Sequence, residues 1–249
     1  MFDIQLVKGA QPTGGALITA FPSVGMVGTI AGSFVADSLK MERIAYVLSD
    51  EVPPAAVVQD GIPMYPLRIM GSKRVSVLTS EFQIPLVLSS KLAMHLLDWS
   101  IANKYEFILG LEGLMTSQEV EPSKDLRVFG VGTTPSARDL LKSAGIEQFK
   151  MGMITGVSGA LLSEGERIQK DIMCLLVEAN PLFPDARGAA KLVESVLRLI
   201  PSLQVDVKEL YKEAEAIEQN VKLAVEKTKD VLAARQNQSE RLGRSFMYG

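Results

Sequence analysis

The segment Phe21-Pro22-Ser23-Val24-Gly25-Met26-Val27-Gly28-Thr29 follows an apolar run and opens a helical pattern, a place where free backbone N–H groups can hold an anion. Its spacing matches neither GxGxxG nor GxxxxGK[ST], and Lys40, the first lysine after it, lies a full helix away. Gly25, Gly28 and Gly32 therefore read as positions that let a strand and a helix approach closely, not as a phosphate cradle. His95 lies inside a helical pattern four residues before Trp99 and has no evident triad partner, which makes it a structural histidine on a helix face. Cys174 sits in the apolar run DIMCLLV, where burial raises a thiol's pKa and removes its nucleophilicity. Asp50, Glu51, Glu112, Glu119 and Glu121 fall at strand ends or in loops, where carboxylates can meet in a cleft; as isolated groups they read as surface charge. No nucleophile, base and oxyanion donor share a recognisable arrangement, so the expectation is no catalytic residue, no cofactor and no enzymatic activity.

The last residues call for a different chemistry. Phe246, Met247, Tyr248 and Gly249 end a polar stretch, QNQSERLGRS, and apolar groups so placed suit capture by another molecule. With 5 tyrosines in 249 residues and 47% hydrophobic residues, a penultimate Tyr behind an apolar residue arises by composition roughly once in a hundred chains. A carboxylate at Gly249 can pair with a lysine, the Tyr248 phenol can fill a pocket while its OH finds a partner, and Met247 adds adaptable apolar contact.

The elements that position these residues follow from hydropathy. Between about 15 and 200, short apolar runs alternate with amphipathic segments, the rhythm of an α/β fold: a three-layer α/β/α sandwich on a largely parallel sheet. Strands are expected over Gly15–Ala20, Arg43–Leu48, Pro66–Met70, Arg74–Thr79, Phe107–Leu111, Leu126–Val131, Lys150–Val157 and Asp171–Val177. The pair at 66–79 is expected to form a hairpin across Gly71, Ser72 and Lys73. Helices are expected over Val24–Leu39, Pro85–Asn103, Pro135–Ala144, Ser158–Glu166 and Asp185–Leu199, the last led by an acid and stopped before Pro201.

From Val205 the composition changes. No Gly or Pro occurs between Ser202 and Leu242, and 205–235 reads as one long helix. Val207, Leu210, Ala214, Ile217, Val221, Ala224, Thr228 and Val231 keep one apolar seam with spacings of three and four. Such a seam must bury against protein, either the same subunit or a neighbouring one, and the expected arrangement is a homo-oligomer. The division expected is therefore 1–204 as an α/β domain, 205–235 as the long helix, and 236–249 as a flexible tail.

Composition narrows the remaining possibilities. With 26 basic and 29 acidic residues the net charge is −3, which argues against a nucleic acid or an anionic membrane as partner. One cysteine and one histidine exclude an intrachain disulfide and a Cys/His zinc site, so no metal is expected. No apolar stretch reaches the ~18 residues of a membrane span, and the start lacks a basic leader, which together suggest a cytoplasmic protein.

Beyond these readings, the chain resembles the proteasome assembly chaperone family, in particular its archaeal homologues. Residues 14–70, GGALITAFPSVGMVGTIAGSFVADSLKMERIAYVLSDEVPPAAVVQDGIPMYPLRIM, are similar to that family's N-terminal block. SEFQIP at 80–85 and LLDWSIANKYEFILGLEGL at 96–114 are similar to its central block. The resemblance covers about residues 1–200 and implies an α/β/α sandwich reminiscent of nucleoside phosphorylases, a likeness that carries no phosphorylase activity with it. It also gives Met247, Tyr248 and Gly249 the form of a hydrophobic-Tyr-any-residue ending, which in that system enters pockets between α-subunits of the 20S proteasome. The function implied is that of an assembly chaperone homologue or an ATP-independent proteasome activator. The alternative is a small-molecule-binding protein or enzyme that uses the cleft of the α/β domain.

Overall fold

The computed structural model describes residues 2–12, 14–59, 61–72, 74–115 and 126–215. Its strands are β1 (Asp3–Leu6), β2 (Gly15–Ala20), β3 (Glu42–Leu48), β4 (Val57–Gln59), β5 (Ile62–Met64), β6 (Leu67–Ser72), β7 (Val75–Ser80), β8 (Tyr105–Met115), β9 (Val128–Gly132), β10 (Glu147–Gln148) and β11 (Ile172–Ala179). The helices are α1 (Val27–Ser38), α2 (Leu86–Ala102), α3 (Pro135–Ser143), α4 (Gly156–Ile168) and α5 (Ala186–Leu199). Nine strands form one sheet in the order β1-β3-β6-β7-β2-β8-β11-β9-β10, and β4 with β5 makes a separate hairpin.

The sheet is mixed, with a parallel centre. β7, β2, β8 and β11 run the same way, whereas β1-β3, β3-β6, β6-β7 and β11-β9 are antiparallel. Central strands must bury both faces, which is why β2 is buried at every position and reads as one unbroken apolar run. Alternation then divides its side chains. Ala16, Ile18 and Ala20 face a core built with α1, α3 and α5, while Leu17 faces a second core built with α2 and α4. The result is the three-layer α/β/α sandwich. Among the described residues no helix is long and apolar enough to cross a membrane.

Capping chemistry sets several helix starts. Thr134 Oγ1 accepts from the Ala137 N–H with Pro135 at the first helical position, and Asp185 Oδ1 accepts from the Gly188 N–H at 2.8 Å. Residues 208–215, at the start of the helix expected over 205–235, are helical, and Leu210 and Ala214 are buried in the core that α1 and α5 share. This first part of the seam therefore packs within its own subunit. Ile217 to Val231 and the tail at 236–249 lie outside the described residues.

The structure departs from the sequence expectations at several places. Lys150–Val157 is not a strand: only Glu147 and Gln148 pair with β9, and the chain then runs irregularly into α4. Met151 is 91% and Met153 87% exposed, so the apolar residues that suggested a buried strand face outward. Gly152 also lies against the Phe149 ring, leaving no room for a Cβ there. The helix expected from Val24 begins as a 3-10 turn over Val24–Met26 and becomes α-helical only at Val27, because Gly25 and Met26 hold positive φ angles of 61° and 52°. The hairpin of β6 and β7 forms, with pairing that extends to Ser72 opposite Val75.

Candidate functional site

Because β2, β7, β8 and β11 are parallel, the segments after them gather at one end of the sheet. There a cleft of about 310 Å³ opens between the segment after β2, the segment between β7 and α2, the end of β8 and the start of α4. Ligands of open α/β sheets bind in this position, outside the carboxyl ends of the strands.

The glycine segment builds one wall of the cleft and has the close-packing role expected of it. A Cβ on Gly28 would lie 2.5 Å from the Leu111 carbonyl oxygen, one on Gly32 2.2 Å from the Ala20 Cβ, and one on Gly113 2.2 Å from the Val24 carbonyl oxygen. The segment is tied to the rest of its own chain through one backbone carbonyl and one side-chain hydroxyl. The Gly25 carbonyl accepts from the Asp185 N–H at 2.8 Å, and Ser23 Oγ accepts from the Gly113 N–H at 3.2 Å. Asp185, which caps α5, also accepts from the Asn180 N–H through Oδ2, so this loop cluster is tied together by a carboxylate of the protein itself.

Of the five carboxylates singled out by sequence, Glu112 lines the cleft. It stands on β8 facing α4, and Ser158 Oγ donates to its Oε1 at 2.6 Å. Gly110, two residues earlier on the same face, makes room for this contact, since a Cβ there would lie 3.0 Å from Ser158 Oγ. Burial pushes the Glu112 carboxyl up to about 7, against the opposing effect of the Ser158 hydrogen bond. Glu51 pairs instead with Lys91 of α2, and the Lys91 ammonium holds it below the usual carboxylate range. Asp50 is exposed beside Glu51, and Glu119 and Glu121 lie outside the described residues. Ser158 escapes sequence reading: it reaches Glu112 across 46 residues and carries no motif.

His95 and Cys174 take the structural places expected. His95 Nδ1–H donates to the Lys91 carbonyl at 2.8 Å and its ring meets Phe2 edge-on, while Trp99 lies against Tyr105. Cys174 is fully buried, and burial together with the nearby Glu112 charge raises its thiol well above the ordinary value. Among the described residues no group of three or more His, Cys, Asp or Glu side chains is placed to hold a metal. Met247, Tyr248 and Gly249 lie outside the described residues.

Residues 17–225 match the model of the PAC2 family. The chain belongs to the PAC2 family. It is 32% identical over 206 residues to an uncharacterized protein of Methanocaldococcus jannaschii, MJ0106, with 83% of each chain covered. Among solved structures it is similar to Pyrococcus furiosus PbaA, described as an archaeal homolog of proteasome-assembly chaperone. The TM-score is 0.82 with 29% identity, covering 97% of this chain and 98% of PbaA. Pyrococcus furiosus PbaB, described as an archaeal proteasome activator, shares the fold with a TM-score of 0.75 and 19% identity, covering 90% of this chain and 98% of PbaB. The PAC2 fold thus accounts for the α/β/α layers and for the central sheet that frames the cleft.

Proposed function

We propose that this PAC2 protein acts by binding, as a proteasome assembly chaperone homologue or an ATP-independent proteasome activator of the archaeal type, in the cytoplasm. The observation that carries this reading is the likeness to PbaA, which extends over 97% of the chain at 29% identity. The partner is the α-ring of the 20S proteasome, and the contact is made by Met247, Tyr248 and Gly249. Their order suits a lysine-lined apolar pocket, with the carboxylate on the lysine and the phenol inside. The protein works as a homo-oligomer that presents several such ends, joined to the α/β domain through residues 205–249. The spacing of the glycine segment, which matches no phosphate-binding motif, supports a reading without nucleotide hydrolysis.

Co-sedimentation with purified 20S particles tests both parts of the proposal. The full chain is expected to travel with the particle, and the chain truncated after Phe246 is expected to stay behind. Failure of the full chain to bind overturns the proteasome reading, whereas equal binding by the truncated chain overturns the role of the last three residues.

A further inference from the structure

The cleft beside Glu112 plays no part in the docking just proposed, yet it is built unlike a plain packing defect. Its volume of about 310 Å³ falls at the lower end of the ~300–1,000 Å³ typical of small-molecule sites. Phe21, Ile84, Leu86, Leu114, Ile154 and Leu176 supply apolar walls. Into this surface β8 places a carboxyl group. Ser158 donates to its Oε1, and no described residue donates to Oε2. No lysine, arginine or histidine is among the described residues that line the cleft. The start of α4, where Ser158 stands, gives an ionised carboxylate partial support without neutralising it. Among the described residues this carboxylate has no counter-charge in a cleft of mixed polar and apolar lining, an arrangement that costs free energy when the group is ionised and that a cation filling the cleft relieves.

We propose that this cleft binds a small primary ammonium with an apolar body, the ammonium donating to the Glu112 carboxylate and the body lying against the Phe21, Ile84 and Leu176 walls. An anion meets only repulsion from Glu112. A purely apolar molecule strips the carboxyl of water and returns no hydrogen bond. The Cys174 thiol on β11 is the other titratable group whose charge is coupled to Glu112 among the described residues, and it stays protonated. Ser158, Ser23 and Gln83 are uncharged.

The probes are benzylammonium chloride, benzyl alcohol and sodium benzoate, titrated calorimetrically into the full chain. With Glu112 titrating at about 7, its ionised fraction rises about tenfold between pH 6 and pH 8, and benzylammonium affinity is expected to rise by the same factor. At pH 8, benzyl alcohol and benzoate are expected to bind at least ~10-fold more weakly, and Glu112→Gln to weaken benzylammonium by ~10-fold or more and to remove the pH dependence. Should Glu112→Gln fold poorly, the parent protein still decides: at pH 7, binding must release about half a proton, read from the heats in two buffers of different ionisation enthalpy. The proposal is overturned by the absence of saturable benzylammonium binding at pH 8, by equal binding of benzyl alcohol or of benzylammonium to a folded Glu112→Gln variant, or by binding without proton release.

Discussion

The phenol of Tyr211 donates to Oε1 of Glu194 at 2.8 Å, fastening the helix that begins after Val207 to α5. Burial and the Glu194 carboxylate both raise the Tyr211 pKa, so the phenol remains a donor across the physiological range. Beneath it Leu210 is 1% exposed, in the core shared with α1 and α5. Leu210→Ala is expected to cost about 2–4 kcal/mol in urea unfolding and Tyr211→Phe about 1 kcal/mol. A Leu210→Ala midpoint equal to the parent's would show that this turn adds nothing to the domain.

Gly28 and Asp37 lie on the same helix and should respond in opposite ways. A Cβ at Gly28 would lie 2.5 Å and 2.8 Å from the carbonyl oxygens of Leu111 and Phe21, and the backbone of β8 and of the residue just after β2 cannot step aside as a flexible side chain does. Gly28→Ala is expected to destabilise by about 1–3 kcal/mol, whereas Asp37→Ala, on the exposed side, should stay within about 0.5 kcal/mol. Thermal unfolding followed by circular dichroism measures both. Similar melting temperatures for the two variants would contradict the close-packing role of the glycine segment.

Glu112 makes stability depend on pH in the direction opposite to a salt-bridged acid. Its folded pKa, about 7, lies above the ordinary 4.5, so between these values the folded state holds more protons than the unfolded one. The stabilising contribution is complete below about pH 4.5 and is lost as pH rises through 7. The shift corresponds to as much as about 3 kcal/mol between pH 4.5 and pH 8. Glu112→Gln cannot titrate, so the parent's stability should fall relative to the variant's over this range. Parallel curves of unfolding free energy against pH for the two proteins would remove the argument.

How much of this was legible in sequence depends on burial geometry. β2 over Gly15–Ala20 coincides with its apolar run because both its faces are covered, and α5 is bracketed by the cap Asp185 and by Pro201. β1 is different: at the sheet edge, most of Asp3–Leu6 is exposed, and pairing with β3 rather than hydropathy makes it a strand. The hairpin of β4 and β5 has exposed Val58 and Ile62 and leaves equally little pattern. Lys150–Val157 fails the other way, since its methionines imitate a buried alternation while facing outward. Glu112 could be named as a carboxylate at a strand end, but its cleft and its Ser158 partner are made by the crossing of β8 and α4, which local periodicity does not encode.

Under the docking proposed above, binding to the 20S α-ring is expected to need Tyr248 and the Gly249 carboxylate together. A short tail buries little surface, and each docking must overcome a loss of translational freedom of ~4 kcal/mol or more. Several tails on one oligomer change the balance, because the first docking raises the local concentration of the rest and avidity can exceed single-tail affinity by ~10² or more. Residues 236–249, if extended, span about 45 Å, enough to search neighbouring pockets without a matching subunit number. A loss at each tail is therefore multiplied across the assembly. Tyr248→Ala, or one residue added after Gly249, should weaken binding by far more than one contact is worth, with folding and oligomeric state unchanged. Surface-immobilised 20S particles provide the measurement: if both altered proteins bind as tightly as the parent, the contact with the α-ring lies elsewhere on the chain.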